Sequence, residues 1–211
     1  MASFKPGVLL DLDGTLVDTV FHHVLCWHQA LDEHGYTVPM WRIHAGIGMG
    51  SERLVPWLVG RQVKEVGELS DRHTELFLER ADAFRPTHGA AELIEDLKTR
   101  EIAFLVATSA GSEEREALLA ALEMPDLTTA DSSNVGSAKP APDLLLVACE
   151  ELGVEPSQAT MVGDSPWDQV AARTVGIRGV GVRTGGFGDE AMTKAGAELL
   201  ADDPAGLIGR L

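Results

Sequence analysis

From Gly89 onward the chain alternates helical periodicity with short apolar runs, and this rhythm leaves few folds open. Leu93, Ile94 and Leu97 share one face of a helix over Gly89 to Arg100, and an apolar strand follows at Ala103 to Ala107. Glu113 to Leu122 reads as a helix with Ser112 as its N-cap, and Leu127 to Ala130 as a short strand. A helix from Pro142 to Leu152 leads to a strand at Ala159 to Val162. A helix from Trp167 to Val175, ended by Gly176, leads to a strand at Ile177 to Val182. Beyond that the pattern weakens to a helix near Glu190, a strand near Leu199 and a turn at Ala205. Strands alternating with helices build right-handed crossovers and a parallel sheet. Near the N-terminus, Val8-Leu9-Leu10 forms another buried strand that runs into Asp11-Leu12-Asp13-Gly14.

Between Asp18 and Phe84 no strand pattern occurs. Val20, Val24, Trp27 and Leu31 recur at helical spacing, with Gly35 placed to stop that helix. A second helical stretch surrounds Leu54 to Val59, and a third runs from Val66 to Phe84 through Leu69, His73, Leu76 and Phe77. The expected architecture is therefore α/β: a doubly wound, Rossmann-like parallel-sheet core of residues 1–17 and 85–211, with an all-helical cap, 18–84, inserted after the first strand.

Composition narrows the function. A formal net charge of −16 argues against nucleic-acid binding, which needs clustered Lys and Arg. No apolar run is long enough to span a bilayer, and none at the N-terminus follows a basic patch, so a cytoplasmic protein without a membrane partner is expected. Cys26 and Cys149 read as reduced structural thiols, with no zinc spacing. Oligomeric state is left open by the sequence.

In an open parallel sheet, chemistry gathers beyond the carboxyl ends of the strands. Those positions hold Asp11 and Asp13, then Thr108 and Ser109, then Lys139 ahead of Pro140, then Asp164 with Asp168 four residues on. Each has a bland reading alone. Asp13-Gly14 is a turn signal, Thr108-Ser109 can start a helix, Lys139 can be a solvated lysine, and Asp168 can be a first-turn dipole residue. Asp, Thr, Lys and Asp at successive strand ends are hard to explain as packing.

Asp11-Leu12-Asp13-Gly14-Thr15, Thr108 after Phe104-Leu105-Val106-Ala107, Lys139-Pro140, and Gly163-Asp164-Ser165-Pro166-Trp167-Asp168 resemble, in order, the four motifs of the haloacid dehalogenase-like superfamily. The helical insert after the first motif resembles the cap of its phosphoglycolate phosphatase and β-phosphoglucomutase branch. The resemblance implies a phosphatase in which Asp11 attacks phosphorus and carries an aspartyl-phosphate. Asp13, turned by Gly14, acts as general acid and then as general base for water. Lys139, Thr108, Ser109 and the backbone near Leu12 hold the phosphoryl oxygens. Carboxylates converging on a dianionic phosphate call for a hard cation, and oxygen ligands suit Mg²⁺. The resemblance implies Asp11, the backbone carbonyl of Asp13, and Asp164 as ligands, with Asp168 either at the metal or orienting Lys139.

The expected substrate is a small phosphorylated metabolite. His23 is a candidate to face the site from the first cap helix, and Arg42, His44 and Arg53 are candidates to touch a polar leaving group. Gly46-Ile47-Gly48-Met49-Gly50 reads as an inter-helix loop, because it lacks both a Gly-Lys-Ser/Thr ending and a preceding strand. An aspartate at position 13 argues against the dehalogenases and phosphonoacetaldehyde hydrolases of the superfamily. Two alternatives stay open: a phosphosugar mutase, and a non-catalytic phosphate-binding regulatory protein.

Overall fold

The computed structural model describes residues 6–130 and 143–211. Five strands form one parallel sheet: β1 (Gly7–Leu10), β2 (Ala103–Val106), β3 (Ala159–Gly163), β4 (Arg178–Val182) and β5 (Ala197–Ala201). Their spatial order is β2-β1-β3-β4-β5. The chain leaves β1 toward one edge and then returns to build the other, so the direction of winding reverses between β1 and β3. That reversal leaves a crevice beyond the carboxyl ends of these two strands.

Successive strand residues point to opposite faces, and both faces of this sheet are covered. Val8 and Leu10 pack with Leu93, Ile94 and Leu97 of α5 (Ala90–Thr99). Leu9 and Met161 pack on the other side with Leu144, Leu145 and Ala148 of α7 (Asp143–Leu152) and Ala171 and Ala172 of α8 (Pro166–Thr174). A strand buried on both faces has no polar positions, which is why β1 reads as an unbroken apolar run. The doubly wound α/β core is thus as expected, with α6 (Ser112–Ala121) and α9 (Asp189–Ala195) completing its described helices.

The segment between β1 and α5 is helical: α1 (Val20–Glu33), α2 (Met40–Gly46), α3 (Ser51–Val59) and α4 (Val66–Leu78). Its apolar stripes converge on Leu31, Ile43, Leu54, Leu69 and Phe77, all at most 1% exposed. Each such side chain contributes roughly 1.5–3 kcal/mol on burial. The two crossings between this segment and the sheet run side by side. Asp18 N–H donates to Arg85 O at 2.9 Å, Thr87 N–H donates to Leu16 O at 2.9 Å, and Val17 and Pro86 form an antiparallel bridge.

Four expectations need correction. The short helix α2 carries no long apolar period and escapes a periodicity search. The third helical stretch stops at Leu78, and a separate 3₁₀ turn, Ala81–Ala83, follows. Leu127 to Ala130 is not a strand; it meets the sheet edge through a single bridge between Val106 and Thr129. Ser112 is the first helical residue of α6 rather than its cap, and Gly111 N–H ahead of it donates to Glu114 Oε2 at 3.3 Å. No helix among the described residues is long and apolar enough to cross a membrane.

Candidate active site

β1 ends at Leu10, so Asp11 is the first residue past the strand, fixed by its N–H donating to Val162 O at 2.9 Å. The chain then turns tightly: Leu16 and Val17 N–H both donate to Leu12 O at 3.0 Å, and Gly14 N–H donates to Val17 O at 2.7 Å. Gly14 has φ of +75°, and a Cβ there would run into the Asp164 carboxylate and Val20. Only glycine meets both demands. The Leu12 side chain is fully buried, so any contact of this residue with a phosphoryl group is a backbone contact.

Across the switch point, Asp164 follows β3 and Asp168 lies in the first turn of α8. Ser165 caps α8: its Oγ accepts from Asp168 N–H at 3.4 Å and donates to Asp168 Oδ2 at 2.7 Å, while Ser165 N–H donates to the same oxygen at 3.1 Å. The cap thereby locks one oxygen of Asp168. Asp11, Asp164 and Asp168 are all buried, and one carboxylate oxygen from each lies within 4.8 Å of the others. The Thr15 hydroxyl sits between two of them, 3.3 Å from Asp11 Oδ2 and 3.4 Å from Asp164 Oδ1. Three buried hard oxygen donors so close together suit Mg²⁺ and would repel one another without a cation.

Asp13 faces a different environment. Its Oδ1 accepts from Thr19 Oγ1 at 3.1 Å and from His23 Nε2 at 2.8 Å. His23 Nδ1 lies 3.0 Å from His73 Nε2, and His73 Nδ1 lies 3.7 Å from Glu114 Oε1. Glu114 also accepts from Thr74 Oγ1 at 2.9 Å. A row of polar side chains therefore runs from the Asp13 loop through α1 and α4 to α6, hydrogen-bonded as far as His73 and with a 3.7 Å gap to Glu114. Burial opposes charge on His23, but Asp13, with Glu114 and Asp11 beyond, outweighs it and holds its pKa above the ordinary value. Burial, and then the charge of His23, push His73 well below the ordinary value. The two stacked rings are thus shifted in opposite directions.

Asp11, Asp13, His23, His73, Thr74 and Glu114 open on one cavity of about 160 Å³. Asp11, Asp13, Thr108 and Ser109 line its floor. Thr108 is buried, and its Oγ1 accepts from Ala110 N–H at 3.1 Å. Helical residues line the roof: His23 and Trp27 of α1, Ile47, Met49, Ser51 and Leu54 around the α2–α3 loop, and Ser70, His73 and Thr74 of α4. The glycine-rich segment around Gly48 is the inter-helix loop expected of it, and it now forms part of that roof.

The structure does not bring every candidate here. Arg53 is exposed on α3 and does not line the cavity. Arg42 donates to Trp57 O at 2.9 Å with its guanidinium over that ring, and His44 Nε2 bonds Gly185 O at 2.8 Å, outside the cavity. Helix spacing places these side chains on a stripe but not the stripe on a target. Lys139 and Pro140 lie outside the described residues. Thr15, Thr19, His73 and Glu114 are additions. His73 hides in an apolar periodicity, and Glu114 in the acidic first turn of a helix.

Known proteins extend this picture. The chain is 30% identical over 193 residues to the fructose-1-phosphate phosphatase YqaB of Escherichia coli (strain K12), covering 84% of this chain and 96% of that protein. It is 29% identical over 202 residues to a phosphoglycolate phosphatase of Caulobacter vibrioides, covering 92% of this chain and 85% of that one. A hydrolase from Pseudomonas syringae superposes with a TM-score of 0.94 at 31% identity, over 98% of this chain and 97% of that structure. The haloacid dehalogenase-like hydrolase profile matches residues 6–176, a span that starts just ahead of β1 and ends just past α8. Because that span takes in both carboxylate-bearing strand ends and the helices between them, the chain belongs to the haloacid dehalogenase-like hydrolases.

Proposed function

We propose that this protein is a Mg²⁺-dependent phosphomonoesterase acting on a small phosphorylated metabolite through an aspartyl-phosphate on Asp11. The observation that carries the reading is the division of carboxylates: Asp11 gathers with Asp164 and Asp168, while Asp13, two residues on, is held by His23 and Thr19. Two carboxylates in two environments take two roles. Asp11 attacks phosphorus, and the ester P–O bond breaks as Asp13 gives a proton to the leaving oxygen. Water then attacks the aspartyl-phosphate, Asp13 takes its proton, and inorganic phosphate leaves. Asp11, Asp164, the Asp13 carbonyl and Asp168 are the proposed metal-side groups, and Asp168 serves either there or in orienting Lys139. The bound ion would offset the charge of phosphate and carboxylates. Thr108, Ser109, Lys139 and backbone N–H groups near Leu12 are assigned to the phosphoryl oxygens. The phosphatase names of the relatives support this reading.

Residues 18–84 are proposed to act as a cap hinged at the paired crossings near Val17 and Pro86. A phosphosugar mutase would need a cationic site for a second phosphate in that cap. Among the described residues no Lys or Arg lines the cavity, which favours water as the acceptor. Cytoplasmic action is part of the proposal, supported by two buried free thiols, Cys26 and Cys149. The test is acid quench of the protein during turnover of an aryl phosphate with Mg²⁺, followed by peptide mass spectrometry. A hydroxylamine-labile phosphoryl adduct on the Asp11 peptide is expected. Phosphate release with the adduct elsewhere, or no release from any phosphomonoester, overturns the reading.

A further inference from the structure

The leaving-group end of the cavity has a charge pattern of its own. Its polar wall consists of Ser51, Ser70, Thr74, His73 and Glu114. Trp27 and Leu54 add apolar surface. No Lys or Arg lines it among the described residues. The one cation in the sequence between 131 and 142 is Lys139, already assigned to the phosphoryl group. His23 is the other positive candidate, but Asp13 occupies its Nε2 at 2.8 Å and His73 its Nδ1 at 3.0 Å. Neither ring nitrogen has an N–H left for a second anion.

Glu114 has the opposite character. It stands on the first turn of α6, with its side chain 13% exposed, and it lines the cavity. Thr74 Oγ1 and Gly111 N–H fix its two oxygens at 2.9 and 3.3 Å. A carboxylate has about four lone-pair sites, so these two donors, with His73 Nδ1 3.7 Å from Oε1, leave acceptor capacity for substrate hydroxyls. In a confined site this fixed carboxylate repels a second negative charge, and no Lys or Arg among the described residues lines the cavity to offset it.

We propose that Glu114 is a specificity-determining residue. It accepts hydroxyl groups of a small, uncharged, polyol-type leaving group, and it rejects phosphomonoesters whose leaving group carries a carboxylate or a second phosphate. The volume agrees: about 160 Å³ lies below the roughly 300–1,000 Å³ of drug-sized sites. Trp27 offers an apolar wall to the C–H face of such a group. This inference rests on the phosphomonoesterase reading. It also separates this chain from its phosphoglycolate phosphatase relative, whose named substrate has an anionic leaving group.

The experiment compares kcat/KM for glycerol 1-phosphate and fructose 1-phosphate with that for phosphoglycolate and fructose 1,6-bisphosphate, in wild type, Glu114→Gln and Ser70→Lys. The glutamine can keep its one oxygen toward Gly111 N–H and turn its NH2 toward Thr74 Oγ1, which can accept, while removing the charge. Wild type should favour the better uncharged-leaving-group substrate by about tenfold or more. Glu114→Gln should shrink that ratio by about tenfold, and Ser70→Lys should shrink it independently. Thermal melts of both variants confirm folding, and the Ser70→Lys arm decides the matter if Glu114→Gln fails to fold. Phosphoglycolate or the bisphosphate turned over as well as the sugar phosphate in wild type overturns the proposal, as does a ratio unmoved in the folded variants. Failure of wild type to hydrolyse even an aryl phosphate sinks the underlying hydrolase reading instead.

Discussion

The floor and the roof of the cavity are built on different terms. The floor residues Asp11, Asp13, Thr108 and Ser109 follow directly on two paired parallel strands, so the register of the sheet sets where these segments begin. Leu10 pairs with Val106 on one side and Val162 on the other, which brings three strand ends level. The roof residues come from separate helices joined by loops, and each arrives through side-chain packing. A ladder of backbone bonds holds positions to fractions of an ångström, which nucleophilic chemistry requires. A packed helical layer can change its lining residue by residue without disturbing the sheet. Under the proposed mechanism, the comparison assigns the reaction to the floor and leaves substrate choice to the side chains above it.

The largest expected effect tests the floor. Asp11→Asn keeps shape but removes the nucleophile, and kcat on an aryl phosphate should fall by at least about 10⁴-fold, with an unchanged melting temperature. Retained activity would falsify the covalent route. Next, Asp164→Asn should cut kcat/KM by about 10²–10³-fold at limiting Mg²⁺, with partial recovery at high Mg²⁺. In wild type, rigorous chelation should stop phosphate release and added Mg²⁺ should restore it. Activity indifferent to both would remove the metal from the site.

A roof variant should behave differently. Met49→Ala should lower kcat/KM by about tenfold or less, chiefly through KM, and only for substrates large enough to reach the α2–α3 loop. A kcat collapse equal to that of the floor variants would erase the distinction between the two surfaces. The smallest effect concerns pH. His73 has a depressed pKa in the folded protein, so between the ordinary value near 6.5 and that lower value the unfolded chain binds the extra proton. Its contribution therefore lowers stability as pH falls through that window. His73→Leu should lose less melting temperature than wild type between pH 7.5 and 5.5. Parallel losses in the two proteins would mean that His73 is not held neutral.

Legibility in the sequence follows the same division. Val8-Leu9-Leu10 and the later apolar runs reveal the sheet because strands buried on both faces permit no polar residue. Asp11, Asp13, Thr108 and Asp164 are legible because the strand-end rule converts sequence position directly into location. Arg53 and His44 point elsewhere, since a helical residue's direction depends on how its helix is rotated against its neighbours. The Leu127 to Ala130 segment misleads for a related reason: apolar character does not say whether a sheet edge will extend beyond one bridge.

The sequence by itself determined the alternation of strands and helices, the helical insert and the order of the strand-end carboxylates, because these depend on local periodicity and chain connectivity. Only the tertiary structure decided that Asp11, Asp164 and Asp168 share a space less than 5 Å across while Asp13 pairs with His23. It alone joined Thr74 to Glu114 across α4 and α6, residues 40 positions apart in the chain. The physical reason is that hydrogen bonds and charge interactions act over a few ångströms, and the distance between residues on different elements is set by the packing of whole helices and strands.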